Sequence, residues 1–296
     1  MPELPEVQTT VSGLDRCIRG LTIVDVWTDY NSPFYKGKDS IKNPLYFKRF
    51  KKDILGKKVT HVSRRAKNIL IHLTGQDPEE NHSVILVHMK MTGHLLYGDY
   101  DRKDPFNRFI HFILTFSNGK TLELSDMRKF AKIVLIPETD ITHSLHLSNI
   151  GPEPLEPEFT FSIFKSRLYK KQNGRIKTVL MDQSIIAGIG NIYSDEALWR
   201  AGVHPEEPVK NIPDKLLKKL FQAIIEVLKK GIDFGGDSMS DYRNIDGKPG
   251  RFQGQHQAYR KTGTRCAKPG CKGTISRKVV GGRSAHFCSV HQKRLA

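Results

Sequence analysis

The chain is short of acidic residues, of cysteine and of long apolar runs, and each shortage narrows what it can be. No stretch of the 296 residues approaches the roughly 18–20 apolar residues that a membrane-spanning helix needs, and the first residues carry Glu3 and Glu6 rather than the apolar centre of a signal peptide. The chain therefore reads as soluble and cytoplasmic. There are no internal repeats, and Gly188-Ile189-Gly190 lacks the third glycine of a dinucleotide fingerprint. Of only four cysteines, Cys17 stands alone in an N-terminal helix, where it reads as a small buried apolar side chain, while the other three lie near the C-terminus. Acid is scarcest there: the last 54 residues hold thirteen Lys and Arg against one acid, Asp246, and so carry +12 of the net charge of +17. A basic segment that also has the punctuation of a fold is the footprint of a polyanion-binding module. The alternative is a tail that only aids solubility.

What is present divides the chain in two. After a helix over residues 6–18, closed near Gly20, residues 21–30, 59–73, 83–97 and 108–136 are rich in β-branched and aromatic residues and read as strands. Ile110, Phe112, Leu114 and Phe116 alternate toward one face, Asn118-Gly119 supplies a tight turn, and Leu122 and Leu124 return. Residues 31–58 read as loop plus a short helix. Residues 137–157, with four prolines and no sustained periodicity, mark a boundary. Beyond it the pattern turns helical, over 159–171, 176–183, 191–201 with Asn191 as N-cap, and 213–230 with Gly231 as cap; Leu217, Leu220, Phe221, Ile224, Ile225 and Leu228 form one apolar stripe on the last. The expected fold class is α+β: a catalytic domain over 1–136, a linker over 137–158, a helical module over 159–235, and a loop with a hairpin over 236–296.

Two local patterns carry chemistry. The chain begins Met1-Pro2-Glu3-Leu4-Pro5-Glu6-Val7. Loss of Met1 would leave Pro2 with a secondary amine; an α-amino group titrates near pH 7.7–8.0, so about a tenth is nucleophilic free base at pH 7. Such an amine can form a Schiff base with a sugar aldehyde carbon, and Glu3 beside it can move protons. The plainer reading is that Pro2 and Pro5 stiffen the start of a helix. The second pattern, Cys266-x4-Cys271-x16-Cys288-x2-His291, has the shape of a structural zinc site on a hairpin. A redox cysteine pair is the alternative, and His286 is a rival fourth ligand. Strand alternation would put His286 on the same face as Cys288, and His291 is preferred.

The opening heptapeptide, Gly151-Pro152-Glu153-Pro154-Leu155, Gly188-Ile189-Gly190-Asn191-Ile192-Tyr193 and the run from Gly281 to Cys288 occur in the order found in one family. Over essentially its whole length the chain resembles bacterial formamidopyrimidine-DNA glycosylase. The resemblance implies an N-terminal β-sandwich, a helix–two-turn–helix module and a zinc-finger hairpin, acting on double-stranded DNA as a monomer. It implies Pro2 as Schiff-base nucleophile, Glu3 as acid/base, Glu6 as a second active-site carboxylate and Lys67 as a phosphate-binding lysine. It further implies Lys177 beside the lesion, Asn191 and Arg283 as phosphate clamps, and Met91, Arg128 and Phe130 filling the void left by an extruded base. A lesion loop is expected within 235–250. Two departures stand out: the finger is usually four cysteines with two-residue gaps at both ends, and the usual Arg-Arg-Phe-Gly reads Arg128-Lys129-Phe130-Ala131. The sister endonuclease VIII group, acting on oxidised pyrimidines, shares the fold but has glycine where Leu4 stands. A catalytically silent zinc-finger DNA-binding protein is the reading from a different class.

Overall fold

The first helix, α1 (Leu4–Ile18), is set by its own end: Glu3 is the N-cap, the Glu6 carboxylate accepts the Glu3 N–H at 2.7 Å in a capping box, and Pro5 fits the first turn, where no amide donor is needed. Its buried Val7, Val11, Leu14 and Ile18 fall on one face, and Gly20, at φ +82°, turns the chain away. In this computed structural model, which describes residues 1–75, 82–99, 108–239 and 241–295, the four strand-rich stretches resolve into eight strands. These are β1 (Ile23–Thr28), β2 (Lys58–Arg65), β3 (Asn68–Thr74), β4 (Ser83–His88), β5 (His94–Gly98), β6 (Ile110–Phe116), β7 (Thr121–Ser125) and β8 (Lys132–Pro137), with α2 (Pro44–Ile54) between β1 and β2.

They form two antiparallel four-stranded sheets, ordered β1-β6-β7-β5 and β2-β3-β4-β8. Alternation along β6 buries Phe112, Leu114 and Phe116 against Ile69, Ile71, Ile85 and Ile133 of the other sheet, one core that α1 and α2 also enter through Leu14 and Phe50. The Asn118-Gly119 turn forms as expected, with Gly119 at φ +80°.

Six α-helices and ten strands are present among the described residues. In the second half lie α3 (Phe161–Tyr169), α4 (Ile176–Leu180), α5 (Asn191–Ala201) and α6 (Asp214–Asp233), followed by the hairpin β9 (Ile275–Val280) and β10 (Arg283–Cys288). Two helix ends differ from expectation. Gly190, not Asn191, is the N-cap of α5, because Gly190 lies outside the helical backbone region and Asn191 is already helical. Gly231 does not cap α6; it is buried within the last turn and the helix runs on to Asp233.

The chain divides into two units, residues 1–148 with 235–251, and 149–234 with 252–295. The stretch 235–251, expected to belong with the hairpin, thus clusters with the N-terminal unit; residue 240 within it lies outside the described residues. No described helix is long and apolar enough to cross a membrane.

Candidate active site and nucleic-acid-binding groups

The N-terminal unit gathers charge around the tip of the chain. Pro2, Glu3, Glu6 and Lys67 are all buried. Glu6 is the hub: one carboxylate oxygen takes the Glu3 N–H, the other takes the Asp237 N–H at 2.7 Å, and its carbonyl accepts Tyr242 Oη at 3.0 Å. The segment 235–251 is therefore closed onto α1. Gly236 permits this, since a Cβ there would lie 2.9 Å from Glu6 Cγ, and its φ of +85° suits glycine alone. Lys67 follows Ala66, whose φ of +52° makes the tight β2–β3 turn. Burial lowers the pKa of the terminal amine; Glu3, Glu6 and Asp241 pull it back up and Lys67 presses it down further. This amine is that of Met1 and stands one residue outward from the Pro2 nitrogen. The structure thus brings Pro2, Glu3, Glu6 and Lys67 into one electrostatic neighbourhood.

Met91, Arg128 and Phe130 project from two loops of the same unit. Phe130 is half exposed, and the Arg128 guanidinium lies 4.4 Å from the centre of its ring. A residue that sequence reasoning missed joins the loops: buried Asp126 accepts Thr92 Oγ1 at 2.5 Å and the Ala131 N–H at 2.7 Å, while Thr92 Oγ1 accepts the Arg128 N–H at 3.2 Å. An aspartate beside a turn gives no sequence signal of that role.

In the second unit Lys177, expected beside the lesion, is fully buried: its Nζ lies 2.5 Å from Asp195 Oδ1 and 3.2 Å from Ser194 Oγ, as half of an internal ion pair. Asp195 Oδ2 accepts both the backbone N–H and Nδ1 of His286 on β10. Next to it, Glu196 accepts the N–H groups of Gln257, Ala258 and Tyr259 at 2.8–2.9 Å. Burial raises the pKa of Glu196 against the pull of those three amides. These two acids of α5 hold the hairpin module. Asn191 and Arg283 do come near each other: Asn191 Nδ2 is 3.3 Å from Ser284 Oγ, and Arg283 beside it is exposed. The hairpin turn sits tight on α4, since a Cβ on Gly281 would meet Thr178 Cγ2 at 2.3 Å.

Cys266, Cys271, Cys288 and His291 bring one ligand atom each within 4.8 Å of one another, the one such group of His, Cys, Asp and Glu among the described residues. His291 turns Nδ1 toward Cys266 Sγ, at 3.3 Å, and Nε2 toward the Trp199 carbonyl, at 3.1 Å. A proton on Nε2 donated to that carbonyl leaves Nδ1 free to ligate, the usual support of a metal-bound imidazole. His286 is instead taken by Asp195, so the choice between the two histidines falls to His291. Three thiols and an imidazole on two short segments fit tetrahedral zinc.

The sequence pattern of the formamidopyrimidine-DNA glycosylase N-terminal domain matches residues 1–133, and that of the formamidopyrimidine-DNA glycosylase H2TH domain matches 150–243. The chain belongs to the formamidopyrimidine-DNA glycosylase family. Among its relatives is the formamidopyrimidine-DNA glycosylase of Bacillus subtilis, 38% identical over 294 residues that make up 99% of this chain and all of the relative. That of Desulforamulus reducens is 36% identical over 99% of both chains. Solved glycosylases of this family are similar throughout. A complex of the Lactococcus lactis enzyme with DNA containing an abasic site aligns with TM-score 0.84 at 32% identity, covering 99% of this chain and all of that one. A complex of MutM with DNA containing carbocyclic 8-oxo-G aligns with TM-score 0.84 at 31% identity and the same coverage.

Proposed function

We propose that the chain is a bifunctional DNA glycosylase and abasic-site lyase that removes 8-oxoguanine and formamidopyrimidines from duplex DNA, using Pro2 as nucleophile. The observation that carries this reading is the burial of Pro2, Glu3, Glu6 and Lys67 together at the tip of the chain. Loss of Met1 would leave the terminal amine on Pro2, among these acid and base groups, where its free-base form can act as a Schiff-base nucleophile.

A damaged purine in the stack is out of reach, so it must be extruded, at a cost of a few kcal/mol. Met91, Arg128 and Phe130 fill the gap and kink the duplex, offsetting part of that cost. The Pro2 nitrogen attacks C1′ and the C1′–N bond to the base breaks, the base leaving with a proton that Glu3 relays. The C1′–O4′ bond then opens, O4′ taking a proton, to give an iminium that acidifies the 2′ proton; its removal expels the 3′ phosphate, and a second elimination expels the 5′ phosphate, leaving a one-nucleotide gap once water releases the sugar remnant from Pro2. Bound by Cys266, Cys271, Cys288 and His291, one zinc ion would supply structural closure of the hairpin that presents Arg283. Acting on DNA, the enzyme works in the cytoplasm as a monomer.

A lesion panel tests the substrate. Excision of 8-oxoguanine and formamidopyrimidines should be efficient, best opposite cytosine, and thymine glycol should be cut poorly. Comparable rates on both lesion classes would restore the endonuclease VIII reading.

Salt dependence separates the cations. Arg283→Ala removes one phosphate contact and should flatten the log-affinity against log-salt slope by about 0.9. Lys177→Met should weaken binding while leaving that slope unchanged, because its charge is already matched by Asp195. A flattened slope for Lys177→Met would return it to the DNA surface.

A further inference from the structure

The loop that carries Arg128 and Phe130 is held from behind by a lysine 87 residues earlier in the chain. Lys42 is buried, at 5% exposure, and its Nζ donates to the Lys129 carbonyl at 2.6 Å. Lys129 lies between the two projecting side chains with φ at +53°, a left-handed backbone that a long side chain adopts only under outside constraint. Its own Nζ reaches Asp29 Oδ2 at 3.5 Å, and Asp29 is in turn held by His111 Nδ1 at 2.8 Å. The Lys42 ammonium also lies 5.1 Å from the ring centres of both Tyr30 and Tyr35. Burial lowers its pKa while Asp126, the carboxylate that pins the same loop from the other side, favours its charge. Lys42 and Asp126 thus bracket the turn, one gripping a carbonyl and the other an amide.

We propose that Lys42 is a positioning residue for the DNA wedge: it fixes the left-handed turn at Lys129 so that Arg128 and Phe130 enter the gap in register with the base opposite the lesion. The inference rests on the excision reading above and adds a determinant of opposite-base discrimination that never touches DNA. It also gives Lys129 a part, through Asp29, at one of the two positions where this chain departs from the usual Arg-Arg-Phe-Gly.

The test compares two substrates that differ in their need for the wedge. On duplex 8-oxoguanine, Lys42→Met should slow excision at least tenfold and shrink the preference for cytosine over adenine opposite the lesion. Borohydride trapping on a single-stranded abasic oligonucleotide, where no gap needs filling, should stay within about twofold of the parent enzyme. Lys42→Arg, which can still donate to the carbonyl between the two tyrosine rings, should recover most of the preference. Lys129→Gly keeps the turn free of strain and the core intact, yet should lose the preference as the loop loosens. Parallel losses on both substrates, or an unchanged preference in Lys42→Met and Lys129→Gly, would overturn the proposal. Absence of excision by the parent enzyme would count instead against the glycosylase reading.

Discussion

Incubation with lesion-bearing duplex DNA and a borohydride reductant should yield one covalent protein–DNA adduct that peptide mapping places on residue 2. The expectation follows from Pro2 being buried at the tip of the chain with Glu3, Glu6 and Lys67. Retained Met1 converts the Pro2 nitrogen to a tertiary amide with no lone pair to offer, so such protein should form no adduct at all. Glu3→Gln should keep DNA binding and lose base excision by about 10²–10⁴-fold, the range for a lost acid/base group, while still nicking a preformed abasic site. The charge environment adds a pH signature. Buried Glu3 and Glu6 favour a charged amine beside them and buried Lys67 disfavours it, so Lys67→Met should move the acid limb of the adduct-formation profile to higher pH. An adduct mapped to Lys67 would sink the proline assignment and leave the glycosylase reading standing.

Cys288→Ser should release zinc and abolish lesion-DNA binding. Structural zinc sites in small modules bind with roughly 10–16 kcal/mol of apparent free energy, most of which is folding energy. The apolar core around the cluster is small: Trp199, Ala258, Cys266, Ile275 and Cys288. The N-terminal unit has its own core, built from α1, α2 and both sheets, so its near-ultraviolet signal should survive. His291→Ala should lose the metal as well. His286→Ala should keep it, because that ring serves Asp195. Zinc lost from His286→Ala and retained by His291→Ala, measured by metal analysis, would reverse the ligand assignment.

Much of this was legible because the patterns involved are local. The alternation of β6, the Asn118-Gly119 turn and the cysteine spacing each act over a few residues, and each formed where its pattern lies. What escaped depends on partners distant in the chain. Nothing near Lys177 announces that Asp195 will pair with it inside the second unit. Asn191 has the chemistry of an N-cap, but two glycines before it let the backbone turn one residue earlier. Gly231 looks like a stop, yet it lies on the buried side of α6, where a small residue suits close packing and the helix continues. The placement of 235–251 rests on Glu6, 231 residues from its partner Asp237, and on the close approach at Gly236.

That last arrangement governs the order in which the enzyme can be made. The N-terminal unit is discontinuous: its first 148 residues leave the ribosome well before residues 235–251. At about 5–20 residues per second the intervening 86 residues take on the order of ten seconds. Through that interval the two sheets can close, but the Glu6 carboxylate and Thr10 hydroxyl wait for Asp237 and Tyr242. The nascent chain thus carries an assembled scaffold whose first helix still lacks these two partners. The contacts that close 235–251 onto α1 therefore form late, after the second unit up to Phe234 has been synthesised.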